Sequence, residues 1–118
     1  MPLQLVETTI VLAELSILAS ERFGDLVKAV VDIEHGSMAV GCELHVDAEQ
    51  LLLRKGSRQQ DLWGINLYPD AFEDLDRFVE FDSMINLRPG QGNRSRGVED
   101  PNVREKILKI VRQKVVKN

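Results

Sequence analysis

The sequence predicts an α+β domain in which an antiparallel sheet carries helices packed on one face. Three observations support this class: two alternating apolar runs that meet at a turn, amphipathic helical patterns before, between and after the strands, and a composition with 43% hydrophobic and 29% charged residues. The predicted element order is β-α-β-β-α-β-β-α. A chain of 118 residues fits a single α+β domain over residues 1–118.

The first two predicted elements are a short strand and a helix. The apolar stretch at residues 3–6 favours an edge strand. In TTIVLAELSILASERFG, Thr8 or Thr9 can cap a helix, and Gly24 occupies the left-handed position after its last turn. The apolar residues of this helix share one face: Val11, Leu12, Leu15, Leu18, Ala19 and Phe23.

The clearest local pattern is LVKAVVDIEHGSMAVGCELHV, which predicts a β-hairpin with His35-Gly36 as a two-residue turn. On the other face of the hairpin, Lys28 opposes Glu43 as a favourable charge pair. The turn sets four apolar cross-strand pairs on one face: Val27 with Leu44, Ala29 with Cys42, Val31 with Val40, and Ile33 with Met38.

The second half is predicted to hold a short helix, two strands and a final helix. In DAEQLLLRKGS, Asp47 caps the helix and Gly56 ends it. The stretches DLWGINLYP and RFVEFDSMINLRP alternate as strands. Asp100 caps the last helix and Pro101 takes its first position. That helix has one apolar stripe: Val103, Ile107, Ile110, Val111 and Val115.

Charge is distributed unevenly along the chain, whose formal net charge is -4. Residues 1–87 hold 6 Lys/Arg and 16 Asp/Glu, whereas residues 88–118 hold 9 Lys/Arg and 3 Asp/Glu. The basic segment either lies against the acidic body, in the same molecule or in a homo-oligomer, or binds an outside anion such as nucleic acid. We favour the first, because Trp63 and Tyr68 are the only candidates for stacking bases.

The stretch RPGQGNRSR, residues 88–96, contains three arginines and no carboxylate. Its arginines can brace the structure by binding carboxylates or backbone carbonyls of the body. Alternatively, the loop forms an anion site just before a helix start. The anion-binding candidates are Arg88, Asn93, Arg94, Ser95 and Arg96. We favour the brace, because Glu99 and Asp100 already occupy the helix start.

No catalytic, metal or cofactor site emerges from the motifs. Cys42 is predicted to be a buried, inert thiol. No G-x-S-x-G, P-loop or dinucleotide motif is present. His45 and Asp47 are too few ligands for zinc. Glu80 and Asp82 are interpreted as the solvated face of a strand. An enzyme, such as an undetected hydrolase, is therefore the less favoured class, and no cofactor is expected.

The single cysteine permits no intrachain disulfide, which favours the cytoplasm. The apolar run at residues 10–19 contains Glu14 and is too short to cross a membrane. It also lacks the basic flank of a signal peptide, so no membrane partner is expected.

Three stretches resemble a known family: VVDIEHGSMAVGCELHVDAEQLLL, GSRQQDLWGINLYP and FDSMINLRPGQGNRSRGVEDPNVREKI. They are similar to small, mostly bacterial proteins catalogued only as a domain of unknown function. The resemblance covers roughly residues 26–110. It implies a free-standing domain characterised mainly through structural genomics, and it assigns no activity, ligand or residue role.

The resulting expectation is an uncharacterised protein that acts through binding or self-association. The alternative is a phosphate or nucleic-acid binding module that uses residues 88–96 and the basic last helix.

Overall fold

A computed structural model describes residues 3–118. Its strands are β1 (Gln4–Val6), β2 (Ile10–Val11), β3 (Val27–Asp32), β4 (Ser37–Cys42), β5 (Leu62–Leu67), β6 (Val79–Glu80) and β7 (Val115–Val116). Its helices are α1 (Leu12–Arg22), α2 (His45–Arg54), α3 (Leu75–Phe78) and α4 (Pro101–Lys114). Short 3-10 turns occupy Gln59–Asp61, Pro69–Ala71, Met84–Asn86 and Pro89–Gln91.

Five strands form one antiparallel sheet in the order β1-β4-β3-β5-β6. A second, parallel pair joins β2 to β7, with Ile10 opposite Val115. This small pair ties the start of the described chain to its end. Asn118 strengthens the tie, because its Oδ1 accepts a hydrogen bond of 2.7 Å from the backbone N–H of Ala13 in the first turn of α1.

The predicted α+β class is confirmed, and the structure adds that helices cover both faces of the sheet. α1 and α4 pack on the face that carries Ala29 and Ile65. α2 packs on the opposite face, over Val30 and Leu62. The expectation of helices on one face only is therefore corrected. The physical reason is that β3, β4 and β5 are apolar on both sides, so each face needs a cover.

The hairpin forms, but its predicted register is wrong by two residues. Asp32 opposes Ser37, and the connection is a four-residue turn from residue 33 to residue 36. The Asp32 carboxylate causes this difference, because its Oδ1 accepts the backbone N–H groups of Glu34 at 2.8 Å and His35 at 3.0 Å. Gly36 adopts φ +73°, and among residues 3–118 only glycines have positive φ. A shift of two preserves the predicted face of each residue up to Val40.

A bulge at Gly41 changes the rest of the hairpin. Gly41 adopts φ +89°, and the register shifts so that Lys28 opposes Cys42. Cys42 consequently packs with the α2 face, against the prediction that it shares a face with Val40. The predicted cross-strand pair of Lys28 with Glu43 does not form, since β4 ends at Cys42.

The helices differ from the sequence expectation mainly at their starts. α1 begins at Leu12, after β2, and neither threonine caps it. α2 begins at His45, two residues before the predicted cap Asp47. α4 is confirmed, with Asp100 accepting from the backbone N–H of Asn102 at 2.8 Å. No helix among residues 3–118 has both the length and the apolar character needed to cross a bilayer.

Most of the stretch predicted as the last sheet strand, residues 77–89, is not strand. Only Val79–Glu80 pairs with β5, and the chain then leaves the sheet in two 3-10 turns. The Ser83 hydroxyl accepts the backbone N–H of Ile85 at 3.3 Å, which favours the turn over continued strand. The alternating apolar pattern was present, but local side-chain capping overrode it.

Candidate functional site

The 88–96 loop is anchored by Arg88, whose side chain lies against the body. Its Nη1 donates to the carbonyl of Gln59 at 2.6 Å and to Oε1 of Gln91 at 3.3 Å, and its Nη2 donates to the carbonyl of Leu62. Its guanidinium lies 4.3 Å from the centroid of the Trp63 ring. Burial lowers the Arg88 pKa. This arginine braces the loop through backbone carbonyls.

Asn93 organises the loop from within. It is only 4% exposed. Its Nδ2 donates to the carbonyls of Asn86 at 2.7 Å, Ser95 at 3.1 Å and Gly97 at 2.7 Å. Its Oδ1 accepts the backbone N–H of Glu99 at 2.9 Å. Both ends of this amide are engaged by the chain itself.

The other three anion-binding candidates lie at the surface and do not converge. Arg96 pairs with Asp82, at 2.7 Å between Nε and Oδ1. The Ser95 hydroxyl accepts the backbone N–H of Gly97 at 3.2 Å. The Arg94 side chain is exposed and makes no hydrogen bond or ion pair with any other residue in the described range 3–118. Of the five candidates, only Arg94 therefore presents a side chain without an internal partner.

The two sequence stretches DLWGINLYP and INLRPGQGNRSR bind each other along the edge of β5. Asn86 is fully buried, and its amide pairs with both backbone groups of Gly64, at 2.8 Å from N–H and 2.9 Å to the carbonyl. The amide thus replaces a neighbouring strand. The approach is close, because a Cβ on Gly64 would lie 2.5 Å from Cβ of Ser83. The loop closes the sheet edge that the short β6 leaves uncovered.

A cleft of about 490 Å³ opens on the α2 side of the sheet, next to this loop. Polar side chains from β3, α2, β5, β6 and the connecting segments line it: Lys28, His45, Asn66, Tyr68, Glu80, Asp82, Ser83 and Arg96. Its apolar lining includes Leu44, Val46 and Met84, which are 55%, 42% and 62% exposed. The strand alternation places Lys28, Asn66 and Glu80 side by side, since Asn66 opposes both of the others.

Burial favours the neutral form of the His45 ring, and its Nδ1 has no hydrogen-bond partner among residues 3–118. Its ring is buried at the start of α2, and its Nε2 lies 2.8 Å from the carbonyl of Ile65. Burial lowers the His45 pKa, with a smaller opposing effect from that hydrogen bond. A neutral ring that donates through Nε2 carries its unprotonated nitrogen at Nδ1. His45 therefore adds an acceptor to the lining of the cleft.

Asn66 is 6% exposed, and only one end of its amide is engaged. Its Nδ2 donates to Oε1 of Glu80 at 2.9 Å and to the carbonyl of Asp82 at 3.4 Å. Its Oδ1 has no partner among residues 3–118. The other two buried polar atoms without a partner in this range, Trp63 Nε1 and Arg88 Nε, belong to the stacked pair beneath the loop.

Tyr68 separates the cleft from a second depression of about 520 Å³. Its hydroxyl donates to Oε1 of Glu80 at 2.9 Å. Burial, aided by the hydrogen bond to Glu80, raises the pKa of Tyr68 to about 12. Tyr68 and Glu80 line both depressions, so the two lie side by side. The second depression is acidic, because Arg77 is the one cation in its lining beside four carboxylates: Asp25, Asp70, Asp76 and Glu80.

A second polar cluster holds the hairpin turn. Asp32 is fully buried and accepts from Nδ1 of His35 at 2.7 Å and from the Ser57 hydroxyl at 2.5 Å. Burial alone would raise the Asp32 pKa, but its hydrogen bonds together lower it. The hydrogen bond to Asp32 raises the His35 pKa. Ser57 donates to the carboxylate and not to histidine, so the cluster lacks the order of a nucleophile and its base.

Cys42 is buried and its thiol is a free one. Burial raises the Cys42 pKa to about 11, which keeps the sulfur protonated and inert. Across residues 3–118, no three His, Cys, Asp or Glu side chains are grouped so that they could hold a metal ion.

The sequence does not predict the cleft, because its lining residues come from separate segments and form no motif. Glu80 and Asp82 were interpreted as a solvated strand face, His45 was considered only for metal binding, and Asn66 was passed over. The available signal was Asn66 itself, an amide between the two apolar residues of INL in a strand apolar on both faces.

The architecture defines a small α+β protein with an antiparallel five-stranded sheet between helices and two adjoining polar depressions near one sheet edge. The chain belongs to the family described as "Protein of unknown function (DUF5674)", which matches residues 4–114. The predicted membership of a family of unknown function is confirmed. No curated protein and no solved structure matches the chain.

Proposed function

We propose that this chain is a non-catalytic binding domain whose ligand occupies the cleft beside α2. One observation carries the proposal: the nearly buried Asn66 lines the cleft, and its Oδ1 has no partner among residues 3–118. An unmet buried acceptor costs about 1–3 kcal/mol, which a donating ligand would recover. The volume of about 490 Å³ also suits a small ligand or a short peptide segment.

Binding is favoured over catalysis by the state of the candidate nucleophiles. The buried hydroxyl of Ser83 accepts a backbone N–H, and among residues 3–118 no general base is hydrogen-bonded to it. The Cys42 thiol is protonated and does not line the cleft. Catalysis by an activated nucleophile needs such a base in reach.

A second candidate function is anion binding by the basic carboxyl-terminal segment. It is favoured by four exposed cations that form no ion pair within residues 3–118: Arg94, Lys106, Lys109 and Arg112. The loop contributes Arg94 alone, because Arg88, Asn93 and Arg96 are engaged internally. Nucleic acid held this way would bind through phosphates, with affinity falling steeply as salt rises.

Self-association through the same charges is a further form of binding. The acidic depression next to Tyr68 and the basic side of α4 are complementary in sign. We also propose the cytoplasm as the location, because the one cysteine is a buried free thiol.

Native mass spectrometry of the purified protein tests these proposals together. A retained small molecule or peptide supports the binding domain, a dimer supports self-association, and a retained oligonucleotide supports the second candidate. The site is tested with Asn66→Leu, which removes both ends of the amide, and with Arg94→Ala as the control outside the cleft. Loss of the retained ligand in Asn66→Leu but not in Arg94→Ala places the ligand in the cleft. The reverse pattern would overturn the cleft as the binding site.

A further inference from the structure

We infer that the cleft binds a primary ammonium group at the end of an unbranched aliphatic chain, as in a lysine side chain or an alkylamine. The inference rests on the proposed binding function and names the chemistry of its ligand. It follows from the acceptors, the charge and the apolar lining of the cleft.

Three acceptor atoms on residues that line the cleft receive no hydrogen bond from residues 3–118. Asn66 contributes Oδ1, which is buried and has no partner in this range. Neutral His45 contributes Nδ1, because its Nε2 faces the Ile65 carbonyl. Glu80 contributes Oε2, since the donors from Asn66 and Tyr68 both bind Oε1. An ammonium group has three N–H donors and no acceptor, so its donors equal these acceptors in number.

Charge favours a cation at Glu80. Glu80 has no cation within ion-pair distance among residues 3–118, and its two partners are neutral donors. Of the two cations lining the cleft, Arg96 is paired with Asp82. The ammonium of Lys28 lies over the Phe23 ring, 5.0 Å from its centroid. A ligand cation would therefore meet a carboxylate that has no ion-pair partner among residues 3–118.

The adjoining depression strengthens this preference. Asp25, Asp70 and Asp76 line it with Arg77, so carboxylates outnumber cations on the far side of Tyr68 from the cleft.

The apolar lining of the cleft suits the aliphatic chain of the ligand. Leu44, Val46 and Met84 are exposed apolar side chains at the same cleft, where methylene groups of a ligand would be removed from water.

The test is an NMR titration of the full chain with three matched five-carbon probes: pentylamine, 1-pentanol and pentanoate. We expect pentylamine to shift the His45 ring and Asn66 side-chain amide signals, with an affinity at least about tenfold above that of pentanol, equivalent to about 1.4 kcal/mol. Glu80→Gln, which keeps the shape and removes the charge, should reduce that preference to less than about threefold, whereas Arg94→Ala should leave it unchanged.

The outcomes separate this inference from the binding function. Cleft shifts caused by pentanoate or pentanol, with none from pentylamine, would overturn the ammonium ligand while supporting the binding site. No cleft shifts from any probe, together with no ligand retained in the native mass spectrum, would overturn both. An ammonium preference that survives in Glu80→Gln would overturn the role of Glu80.

N-acetyl-lysine N-methylamide distinguishes the two sources of such a group. Tighter binding than pentylamine indicates a lysine in a peptide partner, and weaker binding indicates a free amine. The Nε-acetylated derivative is its neutral control, and equal binding of the two lysine derivatives would contradict the inference.

Discussion

The segment of residues 84–96 and the cleft beside α2 both contain buried asparagines, yet their hydrogen bonding differs. In that segment Asn86, in the turn before the 88–96 loop, and Asn93, inside the loop, use both ends of their amides within the chain. Asn66 in the cleft uses only its nitrogen. The comparison shows that a segment rich in polar residues has a structural role when those residues hydrogen-bond one another. A buried polar residue with an unbonded group indicates a candidate binding site instead.

Gly64→Ala should have the largest effect on stability, because it disrupts the contact between β5 and the segment that contains Ser83 and Asn86. The added Cβ would collide with Ser83, and moving that segment would also break the Asn86 pair. We expect the free energy of unfolding to fall by about 3 kcal/mol, measured by urea denaturation. Gly90→Ala in the 88–96 loop is the control, since a Cβ there meets no atom within 4 Å. Equal losses in the two variants would contradict the edge contact.

Comparing Asn86→Ala with Asn66→Ala tests directly whether the fully bonded asparagine contributes more to stability than the partly bonded one. Removing Asn86 leaves both backbone groups of Gly64 unpaired in a buried strand, so we expect a loss of about 2–3 kcal/mol. Removing Asn66 deletes an acceptor that was already unmet and frees an exposed Glu80, so the loss should be about 1 kcal/mol or less. Thermal and urea unfolding of both variants provide the measurement, and a reversed order would refute the distinction.

Arg88→Ala and Arg94→Ala separate the brace from the free cation within one loop. Arg88 donates to the carbonyls of Gln59 and Leu62, which are left without these donors, so stability should fall by about 1–2 kcal/mol. Arg94 is exposed without a side-chain partner in the described range, so its loss should change stability by less than about 0.5 kcal/mol. Identical melting temperatures for the two variants would argue against Arg88 as a brace.

The two histidines should shift stability with pH in opposite directions, and this is the smallest effect. The His45 pKa is lowered, so the unfolded chain takes up a proton first, and His45 costs stability as pH falls below 6.5. The His35 pKa is raised, so its contribution is complete below 6.5 and is lost as pH rises through its folded pKa.

Melting curves of the wild type, His45→Gln and His35→Gln between about pH 5 and pH 8 provide the test. The wild type should lose stability relative to His45→Gln toward pH 5, and relative to His35→Gln toward pH 8. Parallel curves for all three proteins would show that neither ring titrates differently in the folded state.

Local sequence patterns predicted an element correctly where two independent signals supported it. For α4 the apolar stripe and the Asp100-Pro101 start predict the same helix, and the structure confirms it. The hairpin was found, but its register depends on which backbone groups the Asp32 carboxylate binds, which alternation does not encode. The bulge at Gly41 then moved Cys42 to the other face.

The candidate site was less accessible to sequence reasoning, because it depends on contacts between distant segments. The brace interpretation expected the arginines to bind carboxylates or backbone carbonyls. It holds for Arg88, which binds the carbonyls of Gln59 and Leu62. It is wrong for Arg94, whose exposed side chain has no partner among residues 3–118. Which residues supply those carbonyls follows from tertiary packing alone. The open acceptor of Asn66 is likewise visible only once Glu80 and Asp82 occupy its nitrogen. An unmet hydrogen bond has no sequence pattern of its own.

The parallel pair of β2 and β7 has a consequence for the order of events during synthesis. Ile10 and Val11 pair with residues 115 and 116, and the first turn of α1 donates to Asn118. A ribosome translates these partners more than a hundred residues after β2. The β2 edge and the start of α1 therefore stay open on the nascent chain. They close only after residues 115–118 have emerged from the exit tunnel.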